Sequence, residues 1–304
     1  MLIIYDNLKN TSKSFTFKIV AFSHSFFLVQ YKYYYYPEYF GLSKGVFTMD
    51  KYHEFTKNVF KLIKLDLTSY KEKQMKRRIN SLVTRNGFKD FDDYFIALKK
   101  DKELFNQFIN YLTINVSEFY RNEKQWDILE ENIIPDLIKN NKSLKIWSSA
   151  CSTGEEPYSL VMLMTKFYRL NNIKVYATDI DEGAIAKAKL GIYNEKSIKS
   201  LPKEFKVKYF DKIGNSFKIK DDIKNRVQFS KLNLLEDNYP SNCHLIICRN
   251  VMIYFTQEAK DKIYHKFKNS LTDDGVFFVG STEQIIKPLD YNLKPIRTFF
   301  YSKA

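Results

Sequence analysis

From Leu144 onward the chain repeats one pattern, a short apolar run, a turn of small or polar residues, then a helical stretch, and this repeat most limits the possible folds. Leu144 to Ser148, Val175 to Thr178, Val227 to Leu232, His244 to Cys248 and Val276 to Gly280 read as five strands. Helices are expected from about Pro157 and through Ala184 and Ala188. Strands alternating with helices predict a mostly parallel, doubly wound sheet in a mixed α/β domain. The interval Gly191 to Arg226 is long for one connection. Its short runs Val207 to Phe210 and Phe217 to Lys220, set around Gly214-Asn215, predict a small antiparallel β-subdomain at about 192–226.

Upstream the periodicity is helical. Phe55, Val59, Leu62 and Ile63 recur at helical spacing, as do Met75, Ile79, Leu82 and Val83. Asn86-Gly87 suits a left-handed helix end, and Asp90 suits the start of a further helix with Tyr94, Phe95 and Leu98 inward. Residues 49–113 are therefore expected to form an all-α domain, followed by a linker and linking helix over 114–143 and the sheet domain over 144–304. Residues 1–48 are aromatic-rich, with Tyr33 to Tyr36 in one run and no clean period. They are read as an atypical extension, either a mis-assigned start or a poorly ordered stretch.

In a doubly wound sheet, ligands bind beyond the carboxyl ends of the strands. The first strand ends in Ser152-Thr153-Gly154-Glu155-Glu156-Pro157, the second in Asp179-Ile180-Asp181, the third in Asn233-Leu234 and the fourth in Arg249-Asn250. The glycine fingerprint of dinucleotide sites is missing, and carboxylates at the helix entrance would repel a pyrophosphate. A cationic or hydroxyl-bearing ligand fits better. Asp179 is placed to accept both hydroxyls of a ribose, whereas Asp181 is the better helix cap. Polar groups at four successive strand ends predict a nucleoside pocket.

The net charge of +14 implies an acidic partner or a lysine-rich background, and removing residues 1–48 lowers it by only three, to +11. Cys151, Cys243 and Cys248 show neither disulfide nor metal-site spacing, so a reduced, cytoplasmic setting without metal is expected. No run reaches the ~18 apolar residues of a membrane span.

The strings Ser149 to Ser159, Ala177 to Asp181, Asn233 to Leu235, Cys248-Arg249-Asn250-Val251-Met252-Ile253-Tyr254-Phe255 and Asn115-Val116-Ser117-Glu118-Phe119-Tyr120-Arg121 resemble the chemotaxis receptor methyltransferase (CheR) family. The resemblance runs in order from about Met49 to Thr298. It implies S-adenosylmethionine as methyl donor, with S-adenosylhomocysteine as product, and a Rossmann-like sheet preceded by an all-α domain. It also implies that Asn115, Ser117, Arg121, Glu156, Asp179, Asn233, Leu234, Arg249 and Asn250 line the cofactor site. Arg121 would reach the methionine carboxylate, and Tyr254 would sit beside the transferred methyl. The expected substrates are glutamate side chains on the acidic helical cytoplasmic region of methyl-accepting chemotaxis receptors. Arg78, with Arg77 and Arg85 on the same helix, would contact that receptor.

The family usually has threonine at Ser117, phenylalanine at Tyr120 and alanine at Cys151, and none of these departures removes a polar function. The turn from Asp211 to Ser216 is shorter than in members that grip a receptor tail, so binding without a tail tether is expected. Neither nucleic acid nor membrane insertion is expected, and nothing demands more than a monomer. Two rival readings are a catalytically inactive receptor-binding adaptor and a nucleic-acid methyltransferase. The latter usually has a proline pair where this chain has Val251-Met252.

Overall fold

The computed structural model describes residues 16–22, 25–31 and 51–304. Among residues 1–49, strands β1 (Thr16–Phe22) and β2 (Ser25–Tyr31) pair antiparallel, with Thr16 opposite Tyr31 and Phe22 opposite Ser25. The sequence predicts no regular element there. The rest of the 1–48 extension lies outside the described residues.

Residues 51–112 form four helices, α1 (Lys51–Ile63), α2 (Glu72–Arg85), α3 (Phe91–Lys100) and α4 (Lys102–Leu112). Their apolar stripes meet in one core that includes Phe55, Val59, Ile79, Leu82, Tyr94 and Phe108. Leu62, expected in that core, is 43% exposed, because α1 turns Tyr52, Phe55, Thr56 and Val59 inward instead. At the end of α2, Gly87 has φ +75°, and the amides of Gly87 and Phe88 donate to the carbonyls of Thr84 and Val83. That is the left-handed ending the Asn-Gly pair predicts. Asp90 and Asp101 cap α3 and α4 by accepting from the amides two and three residues on.

Helices α5 (Glu123–Ile128) and α6 (Ile134–Asn140), joined by a π-helical turn over Leu129–Ile133, lead into the sheet. The chain then runs β3 (Ile146–Ser148), α7 (Glu155–Met164), β4 (Val175–Asp179), α8 (Glu182–Leu190), β5 (Ile192–Asn194), α9 (Lys203–Tyr209), β6 (Phe210–Ile213), β7 (Ser216–Ile219), α10 (Asp221–Lys224), β8 (Val227–Lys231), β9 (Cys243–Cys248), α11 (Gln257–Ser270), β10 (Leu271–Val279), β11 (Leu293–Arg297) and β12 (Phe300–Lys303).

Seven strands lie in the order β11-β12-β10-β9-β3-β4-β8. The five from β10 to β8 are parallel, and β12 and β11 add antiparallel at one edge. Alternate residues face opposite layers: Ile146, Leu245, Ile247 and Phe278 join the core on one face, and Trp147, Ile246, Cys248 and Phe277 that on the other. Burial on both faces explains why the strands read as continuous apolar runs. Helix α7 is buried along nearly its whole length, which suits a helix apolar all round.

The small sheet β5-β7-β6 confirms the antiparallel excursion and corrects one element of it. Val207 to Phe210 is not a strand: Lys206, Val207 and Lys208 lie in the last turns of α9, with Val207 81% exposed, and β6 starts at Phe210. Among the described residues, no helix is long and apolar enough to cross a membrane.

Candidate functional site

Strand β3 has β4 on one side and β9 on the other, so the chain leaves it in one direction and later returns across it. That reversal opens a crevice at the carboxyl ends. A cavity of ≈ 360 Å³ lies there, of ligand-binding size. The Tyr70–Phe255 bridge closes the all-α layer over it, with the Lys71 amide on the Tyr254 carbonyl (2.9 Å) and the Thr256 amide on that of Ser69 (2.9 Å).

All the residues expected from the sequence to hold cofactor line this one cavity: Asn115, Ser117, Arg121, Glu156, Asp179, Asn233, Leu234, Arg249 and Asn250. Tyr254, Arg77 and Arg78 line it as well. Arg85 does not; its guanidinium lies 5.2 Å from the Tyr111 ring centroid, beside that of Arg78 at 4.6 Å. Arg78 also donates to the Tyr111 carbonyl, and burial lowers its pKa.

Asp179 ends β4 and is almost wholly buried. Its carboxylate accepts from the amides of Ser152 (2.7 Å) and Asp181 (3.0 Å). Each oxygen keeps a further lone pair for a ligand hydroxyl. Desolvation raises its pKa to about 6 despite those amides. Asp181 caps α8 through Gly183 and Ala184, and also accepts from Thr113 Oγ1 (2.8 Å) and Asn115 Nδ2 (2.6 Å). Asn115 in turn accepts from Ser152 Oγ at 3.0 Å and donates to Thr113. Both its amide protons are thereby used, so its side chain ties the linker to the sheet.

Arg249 is the cation of the cavity floor. One Nη donates to the Arg121 carbonyl (2.7 Å), Asn122 Oδ1 (3.1 Å) and Gln125 Oε1 (2.9 Å), and the other lies 3.6 Å from Glu156. Its buried Nε has no partner among the described residues. Glu156 also accepts from Ser148 Oγ at 2.8 Å. Burial lowers the Arg249 pKa and raises that of Glu156, in each case outweighing the partner's opposite pull. A pair so buried costs more in desolvation than its attraction returns, which marks it as serving the site rather than stability.

Gly154 carries the turn into α7 at φ +94°. A Cβ there would approach Ala188 Cβ to 2.8 Å and the Tyr193 hydroxyl to 3.1 Å. We expect Gly154→Ala to cost about 1–3 kcal/mol, read by urea unfolding, because both the φ value and the space are unfavourable.

The loop holding Asn233 is tied by its own bonds, with the side chain accepting from the Leu235 amide (3.0 Å) and donating to the Lys64 carbonyl (3.2 Å). Ile180, Leu232 and Leu234 give this end an apolar wall suited to a base. Sequence reasoning missed Gln125, which orients Arg249, and Tyr70 and Gln74, which line the helical side. Nothing in the helical period separates these from ordinary face residues. Cys151 is buried and its thiol pushed well above its usual pKa, which makes it a poor target for thiol reagents. The other two cysteines are also buried and free, and among the described residues no cluster of ligands could hold a metal.

Residues 50–113 match the model of the CheR methyltransferase, all-alpha domain, and residues 115–298 that of the CheR methyltransferase, SAM binding domain. A chemotaxis protein methyltransferase of Listeria innocua is 41% identical, over 83% of this chain and 97% of its own length. One of Borreliella burgdorferi is 33% identical over 78% and 89%, and one of Salmonella typhimurium 32% over 71% and 77%.

Proposed function

Since the chain belongs to the CheR methyltransferase family, with S-adenosylmethionine as methyl donor, we propose that it converts glutamate side chains of chemotaxis receptors to methyl esters. One observation carries the reading: the cavity joins a carboxylate fit for a ribose, Asp179, to a mouth lined by Arg77, Arg78, Arg121 and Tyr254, which suits an acidic substrate.

The residues present fit the donor on their own terms. Asp179 keeps free lone pairs, the Arg249 Nε has no acceptor among the described residues, and Ile180 with Leu234 forms an apolar slot. Bound S-adenosylmethionine supplies an electrophilic methyl group on a cationic sulfur. In our reading Asp179 accepts the ribose hydroxyls, and Glu156, Arg249, Asn250, Ser117 and Asn233 line the remainder. Arg121, whose only side-chain hydrogen bond among the described residues is to the Val116 carbonyl (3.3 Å), swings freely enough to take the methionine carboxylate.

A glutamate has an unperturbed pKa of ~4.3 and is an anionic nucleophile at neutral pH. Its attack needs no general base. Tyr254 suits a hydrogen-bond donor rather than a base, because burial raises its phenol pKa despite Arg78 and Arg121 nearby. What remains for the protein is to align the carboxylate in line with the methyl and keep water out.

The test is transfer of tritiated methyl from S-adenosylmethionine to receptor-containing membranes, followed by alkali. Volatile labelled methanol is expected, since only an ester releases it. Alkali-stable label would point to an amine or a base instead, and no label at all to the inactive adaptor.

Arg77 and Arg78 at the mouth should steer an acidic helix, an attraction that salt screens. Raising salt from about 50 to about 300 mM is expected to raise the KM for receptor several-fold with little change in kcat. A KM insensitive to salt would remove these arginines from recognition.

A further inference from the structure

The carboxyl end of β10 carries a buried acid that no part of the reaction above uses. Glu283 is 5% exposed. Its Oε2 accepts from the amides of Asn250 (2.5 Å) and Gly280 (3.0 Å), and its Oε1 from that of Ile253 (3.2 Å). The segment it grips, Arg249 to Tyr254, holds Arg249, Asn250 and Tyr254, three of the cavity's polar residues. That segment has little regular structure of its own. Asn250 lies at φ +61°, and only a single 3₁₀ turn spans Met252–Tyr254.

The room around this acid is also fully used. A Cβ on Gly280 would collide with Glu283 Oε2 and come within 2.9 Å of the Asn250 amide, so glycine is required where the two strand ends meet. Burial pushes the Glu283 pKa up, while the amides of Asn250, Gly280, Ile253 and Met252 pull it down. Among the described residues no cation forms an ion pair with it: its hydrogen bonds come from backbone amides, and the Arg249 charge acts on it only at longer range. An acid held in that way is expensive to bury, and a surface loop has no need of one.

We propose that Glu283 is a positioning residue for methyl transfer. Its carboxylate binds the amides at both ends of the Asn250–Ile253 turn to the tip of β10, and so fixes Asn250 against the cofactor and Tyr254 against the incoming carboxylate. The proposal rests on the function set out above. It assigns the rigidity of the substrate side to a strand that contributes no side chain to the cavity. Glutamine at this position keeps the shape but turns one acceptor into a donor facing backbone N–H groups. Aspartate keeps the charge but falls one methylene short of at least one amide.

The test compares Glu283→Gln and Glu283→Asp with the unchanged chain in three readouts: thermal midpoint, calorimetric affinity for S-adenosylhomocysteine, and steady-state transfer to receptor membranes. For Glu283→Gln we expect kcat to fall about 10- to 100-fold, the worth of one or two charge-assisted hydrogen bonds. The KM for receptor should change less than threefold, and S-adenosylhomocysteine should still bind to a protein that melts cooperatively. Glu283→Asp is expected to recover part of kcat. A lowered midpoint with unchanged kcat in both variants would make Glu283 merely structural and overturn the proposal. If Glu283→Gln does not fold, Glu283→Asp decides, because undiminished kcat there would also overturn it. Failure of the underlying function would look different, as the unchanged chain itself would then transfer no alkali-labile methyl.

Discussion

Arg249→Met is expected to destabilise the protein by about 3–5 kcal/mol in urea unfolding at neutral pH, the largest effect of any substitution considered. The Arg249 side chain is 3% exposed and that of Glu156 12%. Removing the guanidinium leaves a carboxylate buried without its cation, beside a Gln125 oxygen that has lost this donor and an Arg121 carbonyl that keeps Trp126 Nε1. Burial already raises the Glu156 pKa with Arg249 in place, and losing the arginine removes the charge that holds it down. The double variant Arg249→Met, Glu156→Gln should recover at least half of the loss, because the orphaned charge causes most of it. Without that recovery, the hydrogen bonds to the linker would be the larger part. Either variant should lose the cofactor, since both ends of the pair line the cavity.

Arg121→Ala is expected to lower kcat/KM for methyl transfer about 10²- to 10³-fold, in the range of removing one preorganised charged contact. The fold should survive. Arg121 is only partly buried, its side chain makes a single long hydrogen bond among the described residues, to the Val116 carbonyl, and the contacts that matter structurally use its backbone carbonyl instead. The thermal midpoint should therefore move little while activity collapses. Undiminished turnover would remove Arg121 from the cofactor and substrate side altogether.

The two arginines show which parts of the site the sequence reveals. Strand ends are legible because a doubly wound sheet directs them to one edge, so the sequence alone groups Asp179, Asn233, Arg249 and Asn250. Asp181 could be told from Asp179 by its cap position alone, and its side chain does accept from the amides two and three residues on. Asn115 lines the same cavity, and its amide protons go to Thr113 and Asp181. Glu283 stood unread because the fifth strand end offers Gly280-Ser281-Thr282 first, and no spacing signals that a carboxylate three residues on will fold back under another strand's turn.

Errors in the fold have equally local causes. Lys206-Val207-Lys208-Tyr209 alternates polar and apolar residues, the signature of a strand, yet it winds as a helix with Val207 in solvent. Over four residues, a period of two and one of 3.6 cannot be separated. Leu62 fails for a related reason, since in the last turn of α1 the inward stripe runs through Ile63, which packs against the core, and leaves Leu62 outside it.

The central claim is that this sheet edge binds a sulfur nucleoside through an ionised Asp179. Titration calorimetry of S-adenosylmethionine and S-adenosylhomocysteine across pH 5 to 8 tests it most directly. Hydroxyl donors favour the carboxylate over the acid, and burial places the Asp179 pKa at about 6 in the free protein. Affinity should be flat above about pH 7 and fall up to about tenfold per unit below 6. Unfolding would not mimic this. The pKa values of Glu155, Glu156, Asp179 and Glu283 are all raised, so protonating them on acidification favours the folded state. Asp179→Asn should weaken both ligands and flatten the pH profile. Absence of heat with either nucleoside at pH 8, from protein that unfolds cooperatively, would contradict the account.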